Sequence, residues 1–328
     1  MAGTGSVAYL LKSSGKRVVA NDYLYSNYAT LVAFIQNSST LLTDEDVNWL
    51  LRRHRKVDYA TFIADTFDGF YFKKPENEWL DMVACNISAF REKQTSGRRY
   101  KKALALHALV QSCLMKRPFN LFHRRNLYIR TARVDRHFGN KTTWETPFPV
   151  LFKRRVEEAN KFVFDNGQRN RAMHEDLQNV RVPEADLVYI DPPYFGKKRD
   201  RTRSDYRLLY HFVEGLAQYN RWEELLDHSK NLKSLKVDDF STERLYACEK
   251  GNFRKEFLDW LQEVLEAWPN AQIVLSYKQP GVPGSDAIKG LIEKTGRRVS
   301  IKRKSYWYAL NHQNGSPRHN VELLFIGT

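Results

Sequence analysis

The chain holds only three cysteines in 328 residues. Cys85, Cys113 and Cys248 stand far apart and show no metal-ligand spacing, so the sequence points to ordinary buried thiols rather than a zinc site or a disulfide framework. No uninterrupted apolar run approaches the roughly 18 residues of a membrane span. The first residues lack a basic stretch leading into a long apolar one, so no secretory leader is expected. Internal repeats and low-complexity tracts are missing too. Acidic residues are scarce beside basic ones: 38 Asp and Glu against 53 Lys and Arg, a net charge of +15.

What is present can build a large core, since 42% of the residues are apolar, enough for one large domain or two. The basic excess is clustered. Between Arg98 and Phe138 there are eleven Lys and Arg and a single acid, Asp135. Arg98, Arg99, Lys101, Lys102, Arg124, Arg125, Arg130 and Arg136 belong to this stretch. Lys197 and Lys198, with Arg199, Arg201, Arg203 and Arg207, form a second cluster. Such concentration favours a polyanionic partner, because neutralising phosphates drives nucleic-acid affinity. Phe119, Phe122, Tyr128, Phe138 and Trp144 are interleaved with the first cluster. They can form a small core under charged side chains, while the charges track a backbone and a few polar groups read base edges.

Two short motifs carry chemistry. Asp186-Leu187-Val188-Tyr189-Ile190 reads as a buried strand, and Asp191-Pro192-Pro193-Tyr194 follows at its C-terminal end. A carboxylate, two φ-restricted prolines and an aromatic ring make a stiff, polar, stacking-competent corner. That corner suits chemistry on the exocyclic amine of a flat heterocycle. At the other end, Gly3-Thr4-Gly5-Ser6 precedes a helical stretch from Val7 to Lys12. Arg17 to Ala20 then reads as a strand ending in Asn21-Asp22. A Gly-x-Gly turn into a helix lets backbone N–H groups approach a ligand. An acid after the next strand is spaced to accept ribose hydroxyls.

Together the motifs resemble those of the Dam-like, alpha-group DNA adenine-N6 methyltransferases. That family's pattern is Phe-x-Gly-x-Gly, then Asn-Asp after a strand, then Asp-Pro-Pro-Tyr. Here it reads Met1-Ala2-Gly3-Thr4-Gly5, Asn21-Asp22 and Asp191 to Tyr194. Tyr210 to Leu216 and Val274 to Tyr277 extend the likeness over nearly the whole chain. The resemblance implies an α/β fold: a Rossmann-like methyltransferase sheet with an inserted, largely helical target-recognition domain. It divides the chain into a cofactor-binding half (1–40), the DNA target-recognition insert (41–150) and a catalytic half (151–328).

It also implies S-adenosyl-L-methionine as cofactor, double-stranded DNA as substrate and a restriction endonuclease as functional counterpart, in a prokaryotic or phage cytoplasm. Gly3, Thr4, Gly5, Ser6, Asp22, Tyr23 and Asp176 become the cofactor residues, although Asp176 reads equally well as a helix N-cap. Asp191, Pro192, Pro193 and Tyr194 become the catalytic ones, with no metal needed. The same motif serves N4-cytosine and RNA methyltransferases. The family also has a strand before its first glycine, and this chain starts where that strand ends. A catalytically weak DNA-binding protein is therefore a third expectation.

For the rest, helices are expected from Thr43-Asp44-Glu45-Asp46, over Val156 to Phe162, through 204–235, over Phe253 to Trp268 and over Ile288 to Glu293. Strands are expected near Arg171 to His174, Gln272 to Ser276, Val299 to Ile301 and Val321 to Ile326. His211 reads as a DNA contact or a core hydrogen-bond donor.

Overall fold

Helix α1 (Ser6–Ser13) begins directly after Gly5, whose φ of 80° lies in the left-handed region. The computed structural model describes residues 2–90, 95–118, 121–132, 141–195, 205–242, 245, 252–307 and 319–328. Strand β1 (Val19–Asn21) leads into helix α2 (Tyr25–Leu31), which runs on into a π-helical turn at Val32–Gln36. Lys12, fully buried, satisfies carbonyls that this turn leaves open: its ammonium donates to Phe34 O and Asn37 O, both at 2.8 Å.

Six further helices follow among the described residues: α3 (Asp44–Leu50), α4 (Phe62–Thr66), α5 (Lys74–Ala89), α6 (Thr95–Lys116), α7 (Leu127–Thr131) and α8 (Lys141–Glu145). Thr43 and Asp46 form the capping box that starts α3. Pro75 sits in the first turn of α5, where no helical N–H is needed. Helix α9 (Phe148–Lys161) packs along α6. Helices α3, α4, α5, α6 and α9 share one apolar core with α1, β1 and α2, in which Leu31, Leu104, Leu109, Phe152, Phe212 and Trp222 all lie.

Strand β2 (Arg171–Met173) pairs in parallel with β1, Ala20 opposite Ala172. The chain then forms β3 (Leu187–Ile190) and the short helices α10 (Tyr206–Leu209), α11 (His211–Ala217) and α12 (Trp222–Leu225). Gly215 on α11 has to lack a side chain, since a Cβ there would lie 2.0 Å from the Trp222 indole.

Helix α13 (Phe253–Glu266) returns the chain to β4 (Gln272–Gln279), and α14 (Ser285–Lys294) leads to β5 (Val299–Trp307) and β6 (His319–Gly327). The sheet order is β3-β4-β6-β5, with β3 and β4 parallel and β6 antiparallel to both neighbours. Ile273, Leu275, Tyr277, Leu323 and Phe325 alternate onto one face and pack with Phe257, Leu261 and Val264 of α13 and Ile288 and Ile292 of α14 in a second core.

The architecture is mixed α/β, as the sequence suggests, but the strands form two pieces, a β1–β2 pair and the four-stranded sheet. Among the described residues, no backbone hydrogen bond reaches the edge of β3 away from β4. Several expectations change in extent: helix α9 starts at Phe148 rather than Val156, and β4 runs on to Gln279. Strands β5 and β6 exceed 299–301 and 321–326, because their antiparallel ladder continues past the core to Trp307 and His319. The stretch 204–235 is helical only to Leu225, after which Leu226 and Leu235 close a loop by a single bridge.

Candidate active site

The glycine turn is held from behind. Gly3 and Gly5 have φ of 55° and 80°, values that favour glycine. A Cβ on Gly3 would meet nothing within 4 Å, so this turn faces open space. Thr4 and Ser6 are exposed beside it, their hydroxyls 2.9 Å apart. Ala2 N donates to Asn21 O at 2.9 Å, which sets the turn against the end of β1.

Asp22 is only 1% exposed. One carboxylate oxygen accepts from Gly3 N at 2.7 Å, the other from Leu24 N at 2.9 Å and Asn27 Nδ2 at 3.2 Å. Burial pushes its carboxyl above the usual range, against these hydrogen bonds. Its visible task is to brace the turn. Tyr23, next along, is buried, its ring edge-on to Phe240.

Asp176 follows β2 and caps the 3-10 turn at Leu177–Asn179, accepting from Gln178 N. It also accepts from the backbone N and hydroxyl of Ser241. The N-cap alternative describes this geometry, and the Ser241 bonds add a partner that the sequence does not suggest.

Three residues beyond the sequence reading shape the same region. Glu214 is fully buried on α11 and caps α2 from 188 residues away, accepting from Tyr25 N at 2.8 Å and Ser26 N at 2.9 Å. His174 Nε2 donates to Tyr23 O at 2.9 Å, and the ring packs against Tyr25, Tyr28 and Phe240. An acid inside the apolar run Phe212-Val213-Glu214 was the available signal for the first. Nothing local marks His174 or Phe240.

Asp191 to Tyr194 sit at the C-terminal end of β3, with both prolines buried and Asp191 and Tyr194 half-buried. Phe195 anchors the corner against Phe253, and its carbonyl accepts from Val282 N at 3.1 Å. Burial raises the Asp191 carboxyl above the usual range. Glu322 and Asp22 add to the shift, while a hydrogen bond from Tyr194 opposes it. The glycine turn sits at the C-terminal end of β1 and the proline motif at the C-terminal end of β3. Tyr194 packs edge-on to Tyr277, its hydroxyl 2.5 Å from Ser276 Oγ.

The basic residues divide. Arg98, Arg99, Arg124 and Arg125 are exposed, although Arg99 donates to the Tyr28 hydroxyl and Arg125 to Asn231 O while lying over the Phe70 ring. Lys101 pairs with Asp46 at 2.9 Å, and Lys102 donates to Ser88 O. Arg130 does not face solvent: its side chain is 2% exposed and binds Glu76 at 2.8 Å, beside Lys116. Arg117, also buried, gathers the 121–126 turn by donating to Leu121 O and Arg124 O. Arg136, Lys197 and Lys198 lie outside the described residues. His211 is a core residue, with Nε2 2.8 Å from the Tyr71 hydroxyl and 3.2 Å from Phe122 O.

No described helix is long and apolar enough to cross a membrane. A left-handed glycine turn at the end of β1 and an Asp-Pro-Pro-Tyr corner at the end of β3 of an α/β protein are consistent with a methyltransferase. The family comparison is specific: residues 2–246 match the D12 class N6 adenine-specific DNA methyltransferase family, and the chain belongs to it. It is 24% identical to the type II methyltransferase M2.HphI of Haemophilus parahaemolyticus, over 99% of this chain and 88% of that protein. It is 20% identical to the type II methyltransferase M.FokI of Planomicrobium okeanokoites, over 90% of this chain but only 42% of that larger protein. No solved structure matches the chain significantly.

Proposed function

We propose that this enzyme transfers a methyl group from S-adenosyl-L-methionine to adenine N6 in double-stranded DNA, on a base flipped out of the helix. One observation carries the cofactor reading: the left-handed Gly3–Gly5 turn opens onto free space at Gly3 and is held against the end of β1 by the Asp22 carboxylate, 2.7 Å from Gly3 N. In a chain of net charge +15, the acids Asp22 and Asp191 at the strand ends suit a cationic ligand, and the sulfonium cofactor is one. The open space in front of Gly3 and the exposed Thr4 and Ser6 fit a ligand laid along this turn. Gly3, Thr4, Gly5, Ser6, Asp22 and Tyr23 would hold it, with Asp176 and Ser241 alongside. When bound, it supplies an electrophilic methyl group with a neutral leaving group.

The chain's own residues then act on the amine. Adenine N6 is a weak nucleophile because its lone pair is delocalised into the ring. Asp191 accepts one N6–H bond and the Pro192 carbonyl the other, which returns electron density to nitrogen. The buried prolines hold both acceptors in register. A base inside a duplex cannot reach such a corner, so the nucleotide has to leave the stack, with the Tyr194 ring offering a face to it. The exposed arginines of the 41–150 region, Arg98, Arg99, Arg124 and Arg125, supply backbone contacts.

A restriction endonuclease counterpart in a prokaryotic cytoplasm fits the likeness to type II methyltransferases. Incubation with labelled cofactor and duplex DNA, followed by nucleoside mass spectrometry, tests the proposal. N6-methyladenine is the expected product, and N4-methylcytosine or methylated RNA alone would refute it.

A further inference from the structure

A polar cleft of about 300 Å³ lies beside β2. Its walls come from separate elements: Tyr28 on α2, Gln36 at the end of the π-helical turn, Arg99 on α6, and Arg171, His174 and Glu175 in and after β2. The strand edge is already covered. Ala172 N donates to Gln36 Oε1 at 3.2 Å, so an added strand would have to displace this side chain. The floor is fixed as well. Glu175 N donates to Asn21 Oδ1 at 3.0 Å, Asn21 Nδ2 returns a bond to Glu175 O at 2.9 Å, and His174 donates to Tyr23 O. These bonds tie the cleft to the residues on either side of Asp22.

Two cations meet here without a counter-charge. Arg99 and Arg171 are both exposed, and neither forms an ion pair with a described residue. Glu175 lines the same cleft and pairs with neither. Arg99 is oriented: it donates to the Tyr28 hydroxyl at 2.7 Å, with its guanidinium carbon 6.0 Å from the centre of that ring. This uses one of five N–H donors, and the Tyr28 hydroxyl keeps its own proton to give. Arg171 makes no side-chain hydrogen bond with the described residues, so its whole fork is available. Guanidinium forks fit the paired oxygens of a phosphate, and an anion between them relieves their repulsion. Arg171 lies outside both basic clusters of the sequence and joins Arg99 only in the fold.

We propose that this cleft seats one backbone phosphate of the DNA substrate between Arg99 and Arg171. The inference rests on duplex DNA being the substrate, and not on which base is methylated. The test measures the affinity of the whole chain for duplex DNA across a salt series, together with the thermal midpoint.

The double variant Arg99→Gln with Arg171→Gln is expected to lower the slope of log affinity against log salt by about 0.9, one phosphate's worth, and each single variant by less. Arg171→Gln alone should weaken binding about threefold to fivefold, as for one exposed charged contact, equally on cognate and non-cognate duplex. A double variant with the wild-type slope overturns the proposal. So does a loss of about two units, which would put the arginines on separate phosphates. Arg154→Gln, an exposed arginine on α9, should keep the wild-type slope. An equal drop there would make the effect one of net charge and overturn the site. Inorganic phosphate exchanged for chloride at constant ionic strength separates a free anion from DNA. A thermal midpoint raised by phosphate in the wild type alone, beside an unchanged DNA slope in the double variant, would assign the cleft to a free anion. Wild-type protein without salt-dependent DNA binding would remove the DNA reading and this inference together. N6-methyladenine formed by the wild type, beside an unchanged slope in the double variant, would overturn the phosphate seat alone.

Discussion

The Asp22 carboxylate accepts the Gly3 backbone N–H at 2.7 Å, across 19 residues of sequence. The bond ties the end of β1 to the turn that faces open space. A carboxylate spaced to bind ribose is here already committed to shaping the surface on which a nucleotide would lie.

Asp22→Ala should therefore act on the turn. It strands the half-buried N–H of Gly3 and the buried N–H of Leu24, the latter costing about 1–3 kcal/mol. Cofactor affinity measured by calorimetry should fall at least tenfold, the equivalent of about 1.4 kcal/mol, while DNA affinity should hold. Unchanged cofactor affinity would separate the turn from the cofactor site.

Asp191→Asn should lose methyl transfer by about a hundredfold or more, as expected for a buried group that stabilises the transition state. It should also stabilise the fold at neutral pH. The folded carboxyl titrates above its unfolded value, so its favourable contribution exists at low pH and is lost as pH rises through the folded value. The gain in thermal midpoint should be present at pH 8 and vanish below about pH 4, near the unfolded carboxylate value. A gain that is the same at both pH values would contradict the burial argument.

The arginines should separate by burial. Neutralising Arg98 and Arg124 should lower DNA affinity and flatten its salt dependence by roughly one unit per lost phosphate contact, with the thermal midpoint unchanged. Arg130→Ala should instead lower the thermal midpoint, since it removes a side chain only 2% exposed from its pairing with the half-buried Glu76. A stable Arg130→Ala with a flattened salt slope would reverse this division.

His211 makes the protein sensitive to mild acid. Burial depresses its pKa to about 3, so the fold holds it neutral while the unfolded chain protonates near pH 6.5. Stability is fully present above that value and is lost as pH falls toward the folded one. At pH 5.5 the loss is about 1.4 kcal/mol from this group. Urea unfolding at pH 7.5 and 5.5 should show a smaller difference in His211→Gln than in the parent. An equal difference would place the acid sensitivity elsewhere.

The elements nearest the chemistry were legible because their signals are local. Gly3 and Gly5 need left-handed backbone, Asp191 closes an apolar run, and the face from Phe257 to Val264 repeats at helical spacing. What escaped was set by distant partners. The Glu214 cap on α2, the Ser241 bonds to Asp176 and the Ser276–Glu322 pair all join residues far apart in sequence. The charge cluster misled for one reason: composition does not distinguish a solvated arginine from one like Arg130, folded back onto Glu76. The roles expected of Asp22 and Asp176 rested on spacing, which places a carboxylate without saying which donors have already claimed it.

Among the described residues the edge of β3 away from β4 carries no backbone hydrogen bond, which makes the proposed catalytic corner mechanically addressable. The amides and carbonyls of Leu187 to Ile190 on that side are a template to which any extended peptide can bond, and Leu187 is 41% exposed there. Ile190 is bonded covalently to Asp191. A strand zipped onto this edge would straighten the backbone immediately before the acceptor, so its grip would be read out as turnover. The same edge can join two molecules at high concentration, which would make specific activity fall as the protein is concentrated.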